Sequence, residues 1–418
     1  MAAAAPEAAL MGEVVVMVTS SYPRFPGDSV GTFMEPIARG VAARGHEVHV
    51  VAPWHPLVNR PSVDQGVHFH FYKYAPVPAL NVFGYAAAMR ADVRLKASAF
   101  AAAPLALAAG LRTARRVAKR YRATILHGHW VVPGGTTAAL ASSRLPLVVS
   151  LHGSDVFVAE RLAPARLAAR YTFARAAFVT ACSGDLAARA VRLGASPERM
   201  EVVPYGVDPD RFKPDPDVRP RLRAKLHVDG PALLVAAAGR LVRKKGFEYL
   251  IDALQQVPDA VLAIAGEGTL AHELRERARA AGVADRVRFL GDQTQDDVAA
   301  LFAAADVIVT PSVRDDAGNV DGLPNVVMEA LASGTPLVTT AAGGIGAVVE
   351  HETTAELVGE RDAEGIARAI HKLRDPAVRQ RLGGAGRALV QRRFGWAHTA
   401  ERMESAYLRA LAFKSMAG

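Results

Sequence analysis

The sequence predicts two doubly wound α/β domains, each built on a parallel sheet. Three observations carry this. Short runs that are apolar at every position recur along the chain, each ending in glycine or a polar turn; such runs suit strands buried on both faces. A helical stretch follows almost every run, which is the grammar of βαβ units. The pattern starts twice, near Val14 and again near Ala232, and 418 residues are enough for two domains.

The first strand is expected at 14–18. A loop with Pro23, Pro26, Gly27 and Gly31 follows, then a helix at 32–44 that Gly45 ends, then a strand at 47–52. Further strands are expected at 124–126, 147–151 and 178–181. The segment 203–214 is dense in Pro and Gly and separates the halves. Beyond it, strands at 232–238, 260–265, 287–290, 307–310 and 337–340 alternate with helices at 247–256, 270–282, 296–305 and 325–333. The expected domains are 1–205 and 206–395, with an amphipathic closing helix at 396–418 that packs back on the first. Sheets of this kind bind ligands beyond the C-terminal ends of their strands.

Composition narrows the function classes. The single cysteine, Cys182, excludes an internal disulfide framework and ends an apolar run, which reads as a buried strand-end thiol. The net charge of +9 is uneven: residues 1–205 hold 22 Lys+Arg against 12 Asp+Glu, and the remainder holds 28 against 29. The basic first half points to an anionic partner. Its densest part, 86–122, carries nine cations and one acid, Asp92, between alanines and leucines. That resembles a basic amphipathic surface for anionic lipid; nucleic acid is disfavoured by the lack of aromatics for stacking. The longest weakly polar run, 97–110, is too short to span a membrane and contains Pro104. Residues 1–13 lack a basic n-region and read as a loose tail rather than a secretory signal. A cytoplasmic location follows, with peripheral contact at the inner membrane face.

The most telling segment is Asp321-Gly-Leu323-Pro324-Asn325-Val326-Val-Met-Glu329. A helix opening here points backbone N–H groups at whatever lies before it. Asp321 precedes that opening, where it can accept sugar hydroxyls, and Glu329 sits two turns in, where it can reach a ribose. The plain alternatives are an N-cap aspartate and a surface glutamate; the apolar residues around Glu329 argue for a partly buried carboxylate that needs partners. Upstream, Gly239-Arg240-Leu-Val-Arg-Lys-Lys245-Gly246 offers cations for phosphate, although Arg243 and Lys244 also allow a solvated basic turn. Gly266, Gly268 and Gly291 end the neighbouring strands. Together these suggest a site for a sugar joined to a nucleoside diphosphate. In the first half, Gly31 stands at a helix start, and His127, His129 and His152 fall at expected strand ends. No acid accompanies the histidines at metal spacing, so no metal is expected. Asp296-Asp297 and Asp315-Asp316 read as solvated pairs.

Taken together, these residues resemble glycosyltransferase family 4, the retaining enzymes of the GT-B fold with two facing Rossmann-like domains, and in particular those of bacterial surface polysaccharides. The resemblance covers nearly the whole chain. It rests on the loop 20–31, His152-Gly153, Gly239-Arg240 through Lys245-Gly246, Gly266-Glu-Gly268, the acids ending at Glu329, Gly334-Thr-Pro336, Gly343-Gly344 and Phe394-Gly-Trp396. It implies that Arg240 and Lys245 hold the donor diphosphate, Glu329 the ribose and Asp321 the donor sugar. It also implies His152 near the sugar's far edge and Gly31 near the phosphates and acceptor. It implies transfer of a sugar from a nucleotide-diphosphate sugar to a glycan or polyprenyl-diphosphate-linked acceptor, with no cofactor and no metal. Asp321 is one methylene shorter than the family's commoner glutamate, and 314–320 lengthens the loop before it. A nucleotide-sugar 2-epimerase and a non-catalytic glycan- or lipid-binding protein are the alternatives. An NAD oxidoreductase is disfavoured, because Gly343-Gly-Ile-Gly346 lacks the third glycine and the ribose acid.

Overall fold

A computed structural model describes residues 12–28, 30–75, 81, 84–85, 89–91, 94–95 and 97–417. The tail expected at 1–13 lies outside them up to residue 11. The described residues form two compact units. The first runs through Thr180 and adds Arg189–Glu201 and the closing segment from Ala400; the second comprises Ala181–Ala188 and Val202–Thr399.

The first unit is built on an eight-stranded sheet. Its strands are β1 (Val14–Val18), β2 (Glu47–Pro53), β3 (Val63–Asp64), β4 (Val67–Tyr72), β7 (Ile125–His129), β8 (Leu147–Leu151), β9 (Phe178–Ala181) and β10 (Met200–Val202). A separate two-stranded hairpin pairs β5 (Met89–Ala91) with β6 (Arg94–Leu95). The order is β10-β9-β8-β7-β1-β2-β4-β3, so β1 lies between β2 and β7, parallel to both. Only the short edge strand β3 is shown to run antiparallel, against β4. The apolar runs explain this: β1, β7 and β8 are buried almost end to end, as a sheet covered on both faces requires.

The segment 86–122, read as a basic amphipathic surface, is divided between two elements among its described residues. It contributes the β5–β6 hairpin and one long helix, Ala97–Arg120, which continues through Pro104. Alanine and valine give this helix its buried side: Ala102, Ala106, Ala114, Val117 and Ala118 are buried, while Leu105 is exposed. Among the described residues no helix is long and apolar enough to cross a membrane.

The second unit has six strands: β11 (Leu233–Ala238), β12 (Ala260–Ala265), β13 (Val287–Gly291), β14 (Val307–Thr310), β15 (Leu337–Thr340) and β16 (Glu356–Val358). Every pairing is parallel, and the order is β13-β12-β11-β14-β15-β16. This is the strand order of a Rossmann sheet. Alternate side chains of β11 serve two cores. Leu234, Ala236 and Ala238 meet residues of the Asn325–Ser333 helix, while Leu233, Val235 and Ala237 meet the Phe247–Ala253 and Ala271–Ala280 helices. The two-residue period of a strand thus decides which helix covers which face. The lone thiol of Cys182 is buried, as a strand-end cysteine should be.

Candidate active site

The order of the second sheet reverses between β11 and β14, so the loops leaving these strands diverge and open a crevice at their C-terminal ends. The site is built from those two loops. After β11 the chain turns at Gly239 and lies over the loop after β12. Gly239 N donates to Ala265 O at 2.9 Å, Leu241 N to Glu267 O at 2.9 Å, and Leu270 N to Leu241 O at 3.0 Å. A Cβ on Gly266 would lie 2.1 Å from Gly239 O, and one on Gly268 2.5 Å from Leu241 O. Gly266 N in turn donates to Gly291 O at 2.7 Å. The glycines expected to let a ligand approach therefore have a packing reason as well: three loops press backbone on backbone.

The basic turn Arg243–Lys245 ends at Gly246 in the left-handed region, with φ +65°. A Cβ there would meet Pro311 O at 2.0 Å, so only glycine fits both the angle and the space. Val313 N donates to Lys244 O at 2.9 Å, which straps the turn to the loop after β14. That strapping aims both lysines at one acid. Lys244 Nζ lies 2.9 Å from Asp321 Oδ1 and Lys245 Nζ 2.6 Å from Asp321 Oδ2. The side chains of Lys244, Lys245 and Asp321 are only 11%, 13% and 16% exposed, so water screens the trio weakly. Behind Asp321, the Gly343–Gly344 turn comes so close that a Cβ on Gly343 would lie 1.9 Å from Asp321 O. Burial alone would push the Asp321 carboxyl up; the Lys244 and Lys245 ammonium groups reverse this and hold it well below the usual carboxylate range.

Asp321 is not a helix cap. Pro324 occupies the N-cap of the Asn325–Ser333 helix, and no side chain caps it. The first turn, from Asn325 and Val326, therefore opens without a side-chain acceptor, while Leu323 and Pro324 are buried beside it. Glu329, two turns in, is partly buried rather than a surface residue. Burial pushes its carboxyl up to about 7, against the pull of the Lys245 and Arg211 charges. Lys245 thus acts on both carboxylates. Arg240 follows Gly239 and is exposed.

The first unit places its candidate residues at its own switch point, beyond β1, β7 and β8. Gly31 has φ +68°, and its carbonyl accepts from Met34 N at 2.9 Å, opening the Met34–Ala43 helix. His152 follows β8 and shares a 3.1 Å hydrogen bond between its Nε2 and His129 Nδ1. Its ring lies 4.6 Å from Trp130 and 4.8 Å from Phe33, centroid to centroid. His127 does not end a strand as expected: β7 runs on to His129, and His127 is buried inside it. Both its nitrogens are engaged, Nδ1 with Tyr407 OH at 2.8 Å and Nε2 with Ser150 Oγ at 2.7 Å. Burial pushes His127, His129 and His152 well below their ordinary value, so all three are neutral at pH 7.

Sequence reading missed three residues here. Lys244 looked like a solvated neighbour of Lys245, yet the strap to Val313 turns both inward. Arg211 came from the linker, where no periodicity marks it. Asp155 lies three positions after His152 and carries no signal of its own in the sequence. Buried, it accepts from Val131 N at 2.7 Å and Gly153 N at 2.9 Å, and so ties the loop after β7 to the loop after β8. The other acid pairs lie at the surface as read, with Asp296 and Asp316 82% and 91% exposed, and each acid also has a partner. Asp297 completes a capping box with Thr294, Asp296 pairs with Arg211, Asp315 accepts from Asn319 N, and Asp316 pairs with Arg361. Among the described residues one cluster has metal-ligand types, His351, Glu352 and Glu356, and Lys372 already pairs with both its carboxylates.

Comparison with known proteins decides the family. Residues 30–211 match the Glycosyltransferase Family 4 model and residues 218–389 match Glycosyl transferases group 1. A GDP-mannose-dependent alpha-(1-6)-phosphatidylinositol monomannoside mannosyltransferase of Mycobacterium tuberculosis is 32% identical over 401 residues, covering 91% of this chain and 94% of the relative. The chain belongs to glycosyltransferase family 4. This glycosyltransferase is also 34% identical over 302 residues to the mannosyltransferase of the same description from Mycolicibacterium smegmatis, covering 71% of this chain and 72% of that one. HepE of Anabaena, solved in complex with UDP, matches the fold with a TM-score of 0.74 at 21% identity, over 94% of this chain and 98% of that one. The enzyme is a GT-B transferase that uses a nucleotide sugar in glycolipid or polysaccharide synthesis.

Proposed function

We propose that the second-unit crevice binds a nucleoside diphosphate hexose and that the enzyme transfers the hexose, with retention, to a hydroxyl of a phosphate-bearing glycolipid. The observation that carries this is the convergence of Lys244 and Lys245 on Asp321 at the sheet's switch point. Two buried ammonium groups held by one carboxylate form a site that a diphosphate can compete for. As the diphosphate takes Lys245, Asp321 is released toward the sugar hydroxyls. Arg240 and the uncapped N-terminus of the Asn325–Ser333 helix add positive potential at the leaving group. Glu329 takes the ribose hydroxyls.

The costly event is departure of the nucleoside diphosphate. The C1–O bond to phosphate breaks as the acceptor oxygen bonds C1 from the same face. The acceptor proton passes to the departing phosphate oxygen. The lysines stabilise the negative charge that grows there, so the reading needs no metal, and EDTA should leave transfer unchanged. The mannosyltransferase relatives favour GDP-mannose as donor and a phosphoinositide-type acceptor. The basic first domain suits work at an anionic membrane face. Thermal shift with GDP, UDP, ADP and their sugars tests the donor, because a bound nucleotide raises Tm by mass action. GDP and GDP-mannose should give the largest shifts; stabilisation by UDP or ADP alone would overturn the guanine assignment.

A further inference from the structure

The first unit holds a cavity of about 450 Å³ between the Ala97–Arg120 helix and the end of β4. That is small-molecule size, since ligand pockets run from ~300 to ~1,000 Å³. Arg112, Arg116 and Arg120 line it at four-residue spacing, which sets them in a row on one helix face. Lys73, just past β4, lines it from the strand side, and Tyr72 and Tyr121 add ring surface.

No acid lines this cavity. Between Asp64 and Asp155 the sequence holds a single carboxylate, Asp92. Among the described residues no carboxylate pairs with any of the four cations. Arg120 lies over the Tyr121 ring at 5.4 Å and Lys73 over the Trp54 ring at 4.3 Å. Like charges four apart on a helix repel, so the row costs stability until an anion fills it. Arg115, on a neighbouring face of the same helix, behaves differently: its guanidinium donates to Leu140 O at 2.8 Å and does not line the cavity. The cavity is thus a selected set of cations around a hollow, and not merely a basic helix.

We propose that this pocket binds a phosphate ester, with the guanidinium forks of Arg112, Arg116 and Arg120 on its oxygens and Lys73 on the opposite side. It lies in the first unit, is lined by none of the residues assigned to the donor, and goes beyond the transfer reading. The phosphate is either the headgroup of an anionic lipid or a soluble ester of small size.

Two probes separate these sources: glycerol 3-phosphate by calorimetry, and sedimentation with phosphatidylcholine vesicles with and without phosphatidylglycerol. Arg112→Gln with Arg116→Gln should weaken binding by about ten-fold or more. Lys119→Gln with Arg122→Gln removes equal charge outside the pocket and should leave binding near wild type. Lys73→Gln with Arg120→Gln gives a second disruption if the first pair folds poorly. A Tm no lower than wild type and an unchanged GDP response show that a loss is local. Loss with vesicles assigns a lipid headgroup, and loss with glycerol 3-phosphate alone assigns a soluble ester. The proposal is overturned if neither probe binds, if the pocket variants bind like wild type, or if Lys119→Gln with Arg122→Gln loses as much.

Discussion

The switch points of the two sheets share a topology and differ in charge. In the second unit, Asp321 is buried as an ion between two lysines. In the first, His127 and His129 are buried and His152 is partly buried, all as neutral rings hydrogen-bonded to one another or to hydroxyls. A buried charge is tolerated only when paired, and the lysine–aspartate trio meets that condition; in the proposed reading an incoming anion claims its cations. A neutral histidine set offers hydrogen bonds and flat apolar faces, which suit sugar hydroxyls and rings rather than phosphate. One topology supports both because the fold supplies only the crevice; the residues in the loops supply the chemistry.

The comparison can be broken most forcefully at Lys245. Lys245→Ala removes the cation shared by Asp321 and Glu329, and turnover should fall by ~10²–10³. Single-turnover transfer measures it; near-normal rates would remove the charged half of the contrast.

Glu329 is the next lever, through pH. Its folded carboxyl binds a proton more tightly than the unfolded one, so its contribution to stability is full below pH 4.5 and is lost as pH rises through about 7. The loss amounts to about 3 kcal/mol at most. Glu329→Gln should therefore match wild type in Tm at pH 4 and exceed it at pH 8. Parallel Tm–pH curves would contradict this.

Asp155 sharpens the neutral side. Asp155→Ala strands the amides of Val131 and Gly153 in a buried place, at a cost of about 1–3 kcal/mol. Tm should fall by about 2–10 °C, and donor binding in the other unit should not change. The smallest effect is expected at His152. His152→Ala removes one hydrogen bond and a ring contact, so kcat should drop roughly five- to ten-fold with nucleoside diphosphate affinity unchanged.

Five strands of the second sheet were legible almost to the residue, because a strand covered on both faces is apolar at every position and glycine or a polar turn marks its end; β16 was missed because Glu356-Leu-Val358 is short and opens on an acid. The Phe247–Ala253 helix shows where this fails: it passes into a 3-10 turn through Gln256 without any sequence break. β4 was missed because Val67-His-Phe-His-Phe-Tyr72 alternates aromatic and histidine residues and carries no apolar run. The helix at 97–120 was obscured by Pro104. In the site, Asp321 and Glu329 were readable because carboxylates stand out beside an apolar helix. The partners were not: that Lys244 turns inward depends on its carbonyl meeting Val313 N, a contact between residues 69 positions apart. Likewise the role of Tyr407 on His127 spans 280 positions, and only the fold brings them together.

In the proposed mechanism Asp321 holds Lys244 and Lys245 until a donor diphosphate replaces it. Calorimetry of GDP with wild type, Lys245→Ala and Asp321→Asn tests it directly, with transfer from GDP-mannose assayed in parallel. Asp321→Asn should bind GDP at least as tightly as wild type while losing transfer, and Lys245→Ala should lose both. GDP binding by Lys245→Ala equal to wild type, or GDP binding abolished in a folded Asp321→Asn, would contradict it.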